Sequence, residues 1–303
     1  MPNNAVQEYF SHKFRRLLSG APDGQPPWLA AVAAGDDPGL FLPTDAPWIV
    51  HRDFATLVGG IRALLLQAMH PGALGGVSQH SRYEEDPLGR LSGTIRWLTV
   101  TTFGSLEAVS QEASRVNRMH DKVSGTYFDK AGKETKYRAS DQNLLLWVHI
   151  AFMDSFLRSH QLYSRAPIPG GADGYVNLWG KSVAPLGLKD VPKSEQELIQ
   201  VMRNYSQHLN CDEKAMSVIR WIRNAPLPKT AKPIYALLFQ AALVSLPKDI
   251  QEKIGIRSLP IWVLRPLVVN LLAFLRFAIG PDSPIEDAAL ARLRRLGAIA
   301  DIQ

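Results

Sequence analysis

Apolar residues recur at the spacing of an α-helix along most of this 303-residue chain. The clearest example runs from Ala46 to Met69, where apolar side chains return every three or four residues. The sequence contains no comparable series of alternating apolar and polar residues and no internal repeat. Because a half-buried strand needs that alternation, the pattern predicts an all-α fold, a multi-helical single domain.

Residues typical of helix ends divide the chain into separate helices. We expect a helix over 87–103, although WLTVTTF resembles a strand locally. An amphipathic helix is expected over Ser105–Val123, with Gly125 in the C-cap position after it. Ser140 is expected to cap a helix that continues to about Tyr163. The Pro/Gly-rich residues 166–192 are expected to be irregular. Further helices are predicted from Ser194, with a capping box to Glu197, and at 211–224, 231–244, 260–279 and 284–299.

Composition predicts three segments and a reducing compartment. Residues 1–43 are polar and Pro/Gly-rich and are expected to form a partly helical arm, 44–285 the main domain and 286–303 a C-terminal helix. The N-terminus lacks the apolar stretch of a secretory signal. The single cysteine, Cys211, cannot form an internal disulfide, so we expect a cytoplasmic protein.

The distribution of charge and the most apolar segment bear on two kinds of partner, nucleic acids and membranes. The net charge of +6 is scattered, and no basic run is interleaved with aromatic residues, so no nucleic-acid partner is expected. The segment Ser258–Gly280 is the most apolar, but Arg265, Asn270 and Arg276 interrupt it. A bilayer-spanning helix needs about 20 apolar residues with few charges. We therefore expect a buried or surface-lying helix, and peripheral contact with a membrane at most.

The sequence contains no GxGxxG, P-loop or GxSxG motif, so chemistry is expected in a pocket between helices, with histidines as the main candidates. His120 follows Val116 by one turn on the predicted inner face of its helix, which suits an iron ligand. By itself, a histidine on an apolar face is more often a core residue. Arg90 and Thr94 are four residues apart and share a helix face. There they could orient bound oxygen or a propionate group of haem. A surface arginine is the simpler interpretation.

His149 stands in the strongly apolar LLLWVHIAFM and is most simply a core histidine. Non-haem iron is disfavoured, because no paired Glu-x-x-His motifs occur. A set of His120, Asp121 and His149 is disfavoured as well, since adjacent helical residues diverge by about 100°. A cysteine-ligated haem would need Cys211, which lacks a Gly-rich approach loop.

Five segments, taken in order, strengthen these separate signals: WIVHRDFATLVGGIRALLLQAMHPGALGGVSQHS, EDPLGRLSGT, FGS, RMHDKVSG and YRASDQNLLLWVH. They resemble the MpaB/rubber-oxygenase family, which includes latex clearing protein and the fungal oxygenase of mycophenolic acid biosynthesis. The later segments LGLKDVPKSEQEL, APLP and SLPKDIQEKIGI are also similar to this family, so the resemblance extends from about residue 45 to 285.

The resemblance implies a helical fold with a globin-like core that holds a b-type haem. It places the family's proximal histidine at His120, in RMHDKVSG, and the distal Arg-x-x-x-Thr at Arg90 and Thr94, in GRLSGT. His149 falls in the WVH segment and would belong to the haem-binding residues through packing or a contact outside the iron ligands.

Two departures from the family pattern affect the distal side. Gly93 stands where latex clearing protein has a lysine able to occupy the iron, which implies an open sixth coordination position. Leu74 stands near the position of that protein's acid/base glutamate, so cleavage of polyisoprene by that mechanism is not expected here.

The sequence therefore predicts a haem-dependent oxygenase that uses dioxygen on a small hydrophobic substrate, isoprenoid or acyl in character. A non-catalytic haem-binding or sensing protein is the alternative, and a helical interaction protein with a degenerate pocket is a third. Substrate, electron donor and oligomeric state are not determined by the sequence.

Overall fold

The computed structural model describes residues 5–19, 21–80, 87–130, 132–280 and 283–300, with the backbone alone for 6, 17, 18, 77–80 and 87–91. This part of the chain is mostly helical, which confirms the all-α prediction. The helices are α1 (Ala5–Ser19), α2 (Leu29–Ala33), α3 (Ala46–His51), α4 (Ala55–Ala68), α5 (Pro71–His80), α6 (Pro87–Phe103), α7 (Leu106–His120), α8 (Gln142–Tyr163), α9 (Gly171–Trp179), α10 (Glu195–Ser206), α11 (Glu213–Arg223), α12 (Lys232–Val244), α13 (Lys248–Ile254), α14 (Ile261–Ile279) and α15 (Pro284–Arg295).

A β-hairpin interrupts the helices where the sequence predicted the end of one. Helix α7 ends at His120 rather than Val123, and strand β1 (Ser124–Phe128) pairs antiparallel with β2 (Glu134–Arg138). Gly125 lies within β1, opposite Tyr137, and is not a helix cap. Gly132, at a φ of +77°, closes the turn by donating its N–H to the Asp129 carbonyl. Each strand is five residues long, too short for a recognisable alternation in the sequence.

Other differences concern breaks and short helices. Helix α3 is separate from α4 because the Asp53 carboxylate accepts the Ala55 N–H at 2.8 Å and starts a new helix. The segment 166–192 is not irregular throughout: it contains α9 and a 3₁₀ helix (Gly180–Leu186). Gly170, at a φ of +70°, precedes α9, so the glycines that suggested a loop instead begin a helix.

Helices α4 and α8 form the centre of the main hydrophobic core. They approach closely at Gly59, where a Cβ atom would lie 2.6 Å from Phe156 Cδ1 and 3.2 Å from Phe156 Cα. The ion pair between Arg62 on α4 and Asp154 on α8, 2.6 Å long and almost fully buried, joins the same two helices. The close packing holds α8, the helix of His149, in a fixed position at the centre of the protein.

The N-terminal segment and the last helix pack together against α3 and α6. Trp28, Val32 and Leu293 belong to one apolar cluster there. Arg292, 1% exposed, donates to the Val32 and Phe103 carbonyls. These buried contacts connect the two ends of the chain to the helix that carries Thr94.

Candidate functional site

Helices α6 and α7 form an antiparallel pair joined by Gly104 and Ser105. The Ser105 hydroxyl accepts the Ala108 N–H at 3.2 Å and caps α7. Arg96 on α6 donates to the buried carboxylate of Glu112 on α7 at 2.8 Å, which sets the register of the pair. His120 lies eight residues, about 12 Å, beyond Glu112, and the same distance back along α6 leads to its first turn. His120 thus lies about two turns beyond the ion pair on α7, and Arg90 lies less than two turns before it on α6.

His120 is the last residue of α7 and is half-buried. Its Nδ1 atom is buried and has no hydrogen-bond partner among the described residues. Burial lowers the pKa of the imidazole below its ordinary value, nearby Asp121 opposes the shift, and Arg115 adds to it. The side chain is thus a neutral imidazole at pH 7, with a nitrogen available for a ligand.

The other two residues of the predicted distal side are on α6. The side chain of Arg90 lies outside the part of the chain that the structure describes. Thr94 is half-buried. A Cβ atom at Gly93 would meet no heavy atom within 4 Å, so there is open space beside that position. Leu74, at the position of the family's glutamate, is 3% exposed and packs in the main core.

His149 lies in the first half of α8 and is 5% exposed. Its Nε2 atom is buried without a hydrogen-bond partner among the described residues. Burial lowers the pKa of the ring to about 3, so the imidazole is neutral at physiological pH. His149 therefore has the same chemistry as His120 but is more deeply buried; in the described part of the chain, no hydrogen bond or ring contact joins the two.

A small apolar cluster connects α8 with α6. Leu145 and the partly buried Leu146 on α8 pack there with Trp97 on α6 and with residues of the 3₁₀ helix. Trp97 is three residues from Thr94, and His149 is three and four residues from the two leucines, so each shares a face with the cluster. Helical spacing therefore puts Thr94 beside Trp97 on α6 and His149 beside the two leucines on α8.

Thr101 is a further polar residue on this side of α6, and no sequence motif marks it. It lies two turns after Thr94, is fully buried, and its hydroxyl has no partner among the described residues. Thr99 and Thr102 differ, because their hydroxyls bond to carbonyls one turn earlier. No pattern in the sequence distinguishes these three threonines, since only the packing shows which hydroxyl is left without a partner.

Helix α5 packs against the hairpin that follows His120. Cβ atoms at Gly72 and Gly75 would lie 3.1 Å from the rings of Tyr127 and Tyr137, so a larger residue at either position would require the ring to shift by a few tenths of an ångström. The first glycine is equally close to Leu144 on α8. The glycines of HPGALGG are the sequence signal for this close packing. They bring α5, the hairpin and the start of α8 together beside the end of α7.

His51 and His70, two of the other buried histidines, have structural partners. His51 is 2.8 Å from the Thr102 hydroxyl and 3.0 Å from the Tyr175 hydroxyl. Because Thr102 already donates to the Leu98 carbonyl, His51 Nδ1 is the donor to Thr102, and Nε2 accepts from Tyr175. His70 stacks on Trp147. His51 therefore has both ring nitrogens engaged, unlike His120 and His149.

Two cavities in the described part of the molecule are lined by charged residues. One, of about 510 Å³, is bordered by Arg96, Glu112, Arg115 and Arg118, and the other, of about 470 Å³, by Arg62, Asp154 and Arg158. Neither is lined by His120, Thr94 or His149. No group of three or more His, Cys, Asp or Glu side chains that could hold a metal ion occurs among the described residues. An iron held by protein side chains alone therefore has no support in this part of the chain.

The nitrogen chemistry of His120 and His149 is the kind that a haem iron accepts from a protein. A haem supplies four nitrogen ligands of its own, so a single neutral imidazole is sufficient to hold its iron. His120 and His149 each present such a nitrogen, and Trp97, Leu145 and Leu146 supply apolar surface.

Comparison with known protein families gives one result. A family model described as "ER-bound oxygenase mpaB/B'/Rubber oxygenase, catalytic domain" matches residues 48–279. Neither the curated proteins nor the solved structures contain a match to the chain.

Proposed function

Because the chain belongs to the family of mpaB and rubber-oxygenase catalytic domains, which makes it an oxygenase, we propose that it holds a b-type haem through His120 and oxidises a small hydrophobic substrate. The observation that carries the proposal is the buried, unpartnered Nδ1 of a neutral His120 imidazole. The proposed haem core would be globin-like. A bound haem would supply the activation of dioxygen.

The residues around the proposed haem would have three roles. Arg90 and Thr94 would donate hydrogen bonds on the distal side, from the helix that pairs with α7. Trp97, with the leucines of α8, would exclude water and accept the apolar part of the substrate. His149, neutral and buried, would contact the cofactor without binding iron.

Absorbance of the purified full chain, loaded with haemin and compared with three histidine variants, tests the assignment. His120→Ala should lose the Soret band of the bound haem, because the iron loses its protein ligand. His149→Ala should retain a band with altered intensity, and His208→Ala, at an exposed position, should match the wild type. A wild-type spectrum for His120→Ala would overturn the assignment, and loss of the band in His149→Ala alone would identify His149 as the ligand.

Gly93 allows a second test of the distal side. A side chain at this position enters open space, so Gly93→Lys should fold and place an amine near the proposed sixth coordination position. We expect the visible spectrum of the haem-loaded protein to shift toward that of a six-coordinate iron, whereas Gly93→Ala should leave it unchanged. Identical spectra for the two variants would contradict the placement of Gly93 on the distal side.

A haem-binding or sensing protein without turnover is the second candidate function. The buried Leu74 favours it, because no acid is available where relatives that cleave rubber have one. Oxygen uptake by the haem-loaded protein, with an unsaturated isoprenoid or fatty acid present and a reductant supplied, distinguishes the candidates. Uptake tied to an oxidised product, and absent in His120→Ala, supports the oxygenase.

A further inference from the structure

Helix α14 exposes an apolar face that nothing in the described part of the molecule covers. Trp262 is 76% exposed, Phe277 75%, Phe274 61% and Leu267 50%. Among the described residues, this helix is the one long and apolar enough to cross a membrane by length and composition, yet only 17% of its most apolar window is buried. A core helix of that composition would be mostly buried.

The exposed residues form one continuous face. At 100° per residue, Trp262, Leu267, Phe274 and Phe277 fall within an arc of about 140°. Val263, Pro266, Asn270 and Ala273 complete this arc, so a single side chain in it, that of Asn270, is polar. The opposite side of the helix consists of the buried Leu264, Val268, Leu272 and Ile279. We call the exposed arc the α14 apolar face.

Packing on the buried side excludes a transmembrane arrangement. Helix α14 contacts α1, α8 and α12 through that side, and Arg276 donates to Asp53 at 3.2 Å. A helix packed in this way cannot be surrounded by lipid without separation from the core. It can lie in the plane of a membrane with its apolar face in the lipid.

The positive charge around α14 favours a membrane with anionic lipids. The segment from Arg257 to Gly280 contains three arginines and no acidic residue. Arg265 and Arg276 lie along one edge of the apolar face, at the depth where lipid phosphates would be. Trp262 is the side-chain type that favours the boundary between lipid and water. A second copy of the chain would present the same arginines, and α14 itself has no carboxylate to pair with them.

Helix α1 extends the surface. Gln7 donates its amide N–H to the Phe277 carbonyl at 2.8 Å, which joins the start of α1 to the end of α14. Tyr9 and Phe10, within one turn of that contact, are about half exposed, and Lys13 lies 4.4 Å from the Tyr9 ring centroid. A second amphipathic helix with aromatic and basic residues thus borders the α14 apolar face.

From these observations we propose that the α14 apolar face docks in the plane of an anionic lipid bilayer, with Trp262, Phe274 and Phe277 inserted among the lipids. The proposal goes beyond the proposed function and does not depend on it, because none of these residues belongs to the candidate haem site. Docking would bring the protein to a surface in which apolar substrates dissolve.

Flotation of the full chain with vesicles tests the docking. The vesicles contain phosphatidylcholine alone, or phosphatidylcholine and phosphatidylglycerol at about 7:3. We expect the wild type to float with the mixed vesicles, less with phosphatidylcholine alone, and less in about 0.5 M salt. The double variant Trp262→Gln/Phe277→Gln should bind at least about tenfold more weakly, whereas Phe128→Gln, on the distant hairpin and 68% exposed, should bind like the wild type.

Depth and oligomeric state complete the test. Lipids brominated near the headgroup should quench tryptophan fluorescence more than lipids brominated deep in the chains, and Trp262→Phe should remove most of that quenching. The proposal is overturned if the wild type fails to float, if the double variant floats equally well, or if deep bromines quench more strongly. Light scattering that shows a dimer in the wild type and a monomer in the double variant, without vesicle binding, would assign the face to a second copy instead. The haem-loaded and haem-free proteins should behave alike, so failure here leaves the haem assignment unaffected.

Discussion

Removal of the Asp154 carboxylate should destabilise the protein more than any surface charge change. Arg62 is 1% exposed, and its closest partner is Asp154 at 2.6 Å. In Asp154→Asn the shape is kept, but the guanidinium stays buried with the Ser155 hydroxyl at 2.9 Å and without a counter-charge. Arg158, now 3.5 Å from the same carboxylate, would keep Glu195 as its partner at 2.6 Å, so Arg62 is the cation left without a counter-charge.

The expected loss of stability can be taken from the cost of breaking buried ion pairs in general. An uncompensated buried charge costs about 3–5 kcal/mol, a large part of the stability of an ordinary domain. With a urea dependence of about 3 kcal/mol per molar, the midpoint of unfolding should fall by about 1 M or more. Urea unfolding followed by circular dichroism measures the shift.

Two comparisons make the result specific. Glu195→Gln removes a half-exposed partner of Arg158 and should cost about 1 kcal/mol or less. The double change Arg62→Met/Asp154→Leu removes both charges together and should be closer in stability to the wild type than Asp154→Asn. If Asp154→Asn shifts the midpoint no more than Glu195→Gln does, the argument from buried charge is refuted.

Alanine at two adjacent glycines of α4 should change the free energy of unfolding in opposite directions. Gly59→Ala pushes a Cβ into Phe156 and should lower it by about 1–3 kcal/mol. Gly60→Ala places its Cβ in open space and should raise it by about 0.5–1 kcal/mol in the same urea titration. Equal effects would contradict the close approach of α4 and α8. The stability of the haem-free protein should also fall in acid, because burial lowers the pKa of His51 to about 3 and of His70 to about 4, from 6.5. Their contribution is complete above pH 6.5 and is lost as the pH falls toward 3, at about 2 kcal/mol for each ring by pH 5. A urea midpoint that is the same at pH 7.5 and pH 5 would show that these rings are not buried as described.

Local signals were sufficient to predict most helices. The Ser194 hydroxyl accepts the Glu197 N–H at 3.2 Å, as its capping motif predicts. Helix α6 has the predicted bounds despite its threonines, because the hydroxyls of Thr99 and Thr102 bond back to carbonyls in the same helix. Helical hydrogen bonds join residues four apart, so a short stretch of sequence contains most of the information that determines them.

Elements that depend on distant partners were not predictable in this way. The hairpin after His120 has strands of five residues, and its tyrosines pack on α5, about 60 residues earlier in the chain. Helix α9 begins at a glycine with positive φ in a segment whose composition indicated a loop. In both places, contacts across the fold outweigh local preference.

The sequence by itself determined that the chain is helical, which family it resembles, and that His120, Arg90, Thr94 and His149 are the residues to consider for a haem. Tertiary structure alone decided that the imidazoles of His120 and His149 have buried nitrogens without partners, whereas His51 is fully bonded. It also decided that α14, whose composition would suit a buried helix, exposes its aromatic side chains. The physical reason is that helical spacing shows which residues share a face, whereas the elements packed against that face decide whether it meets core, cofactor or solvent.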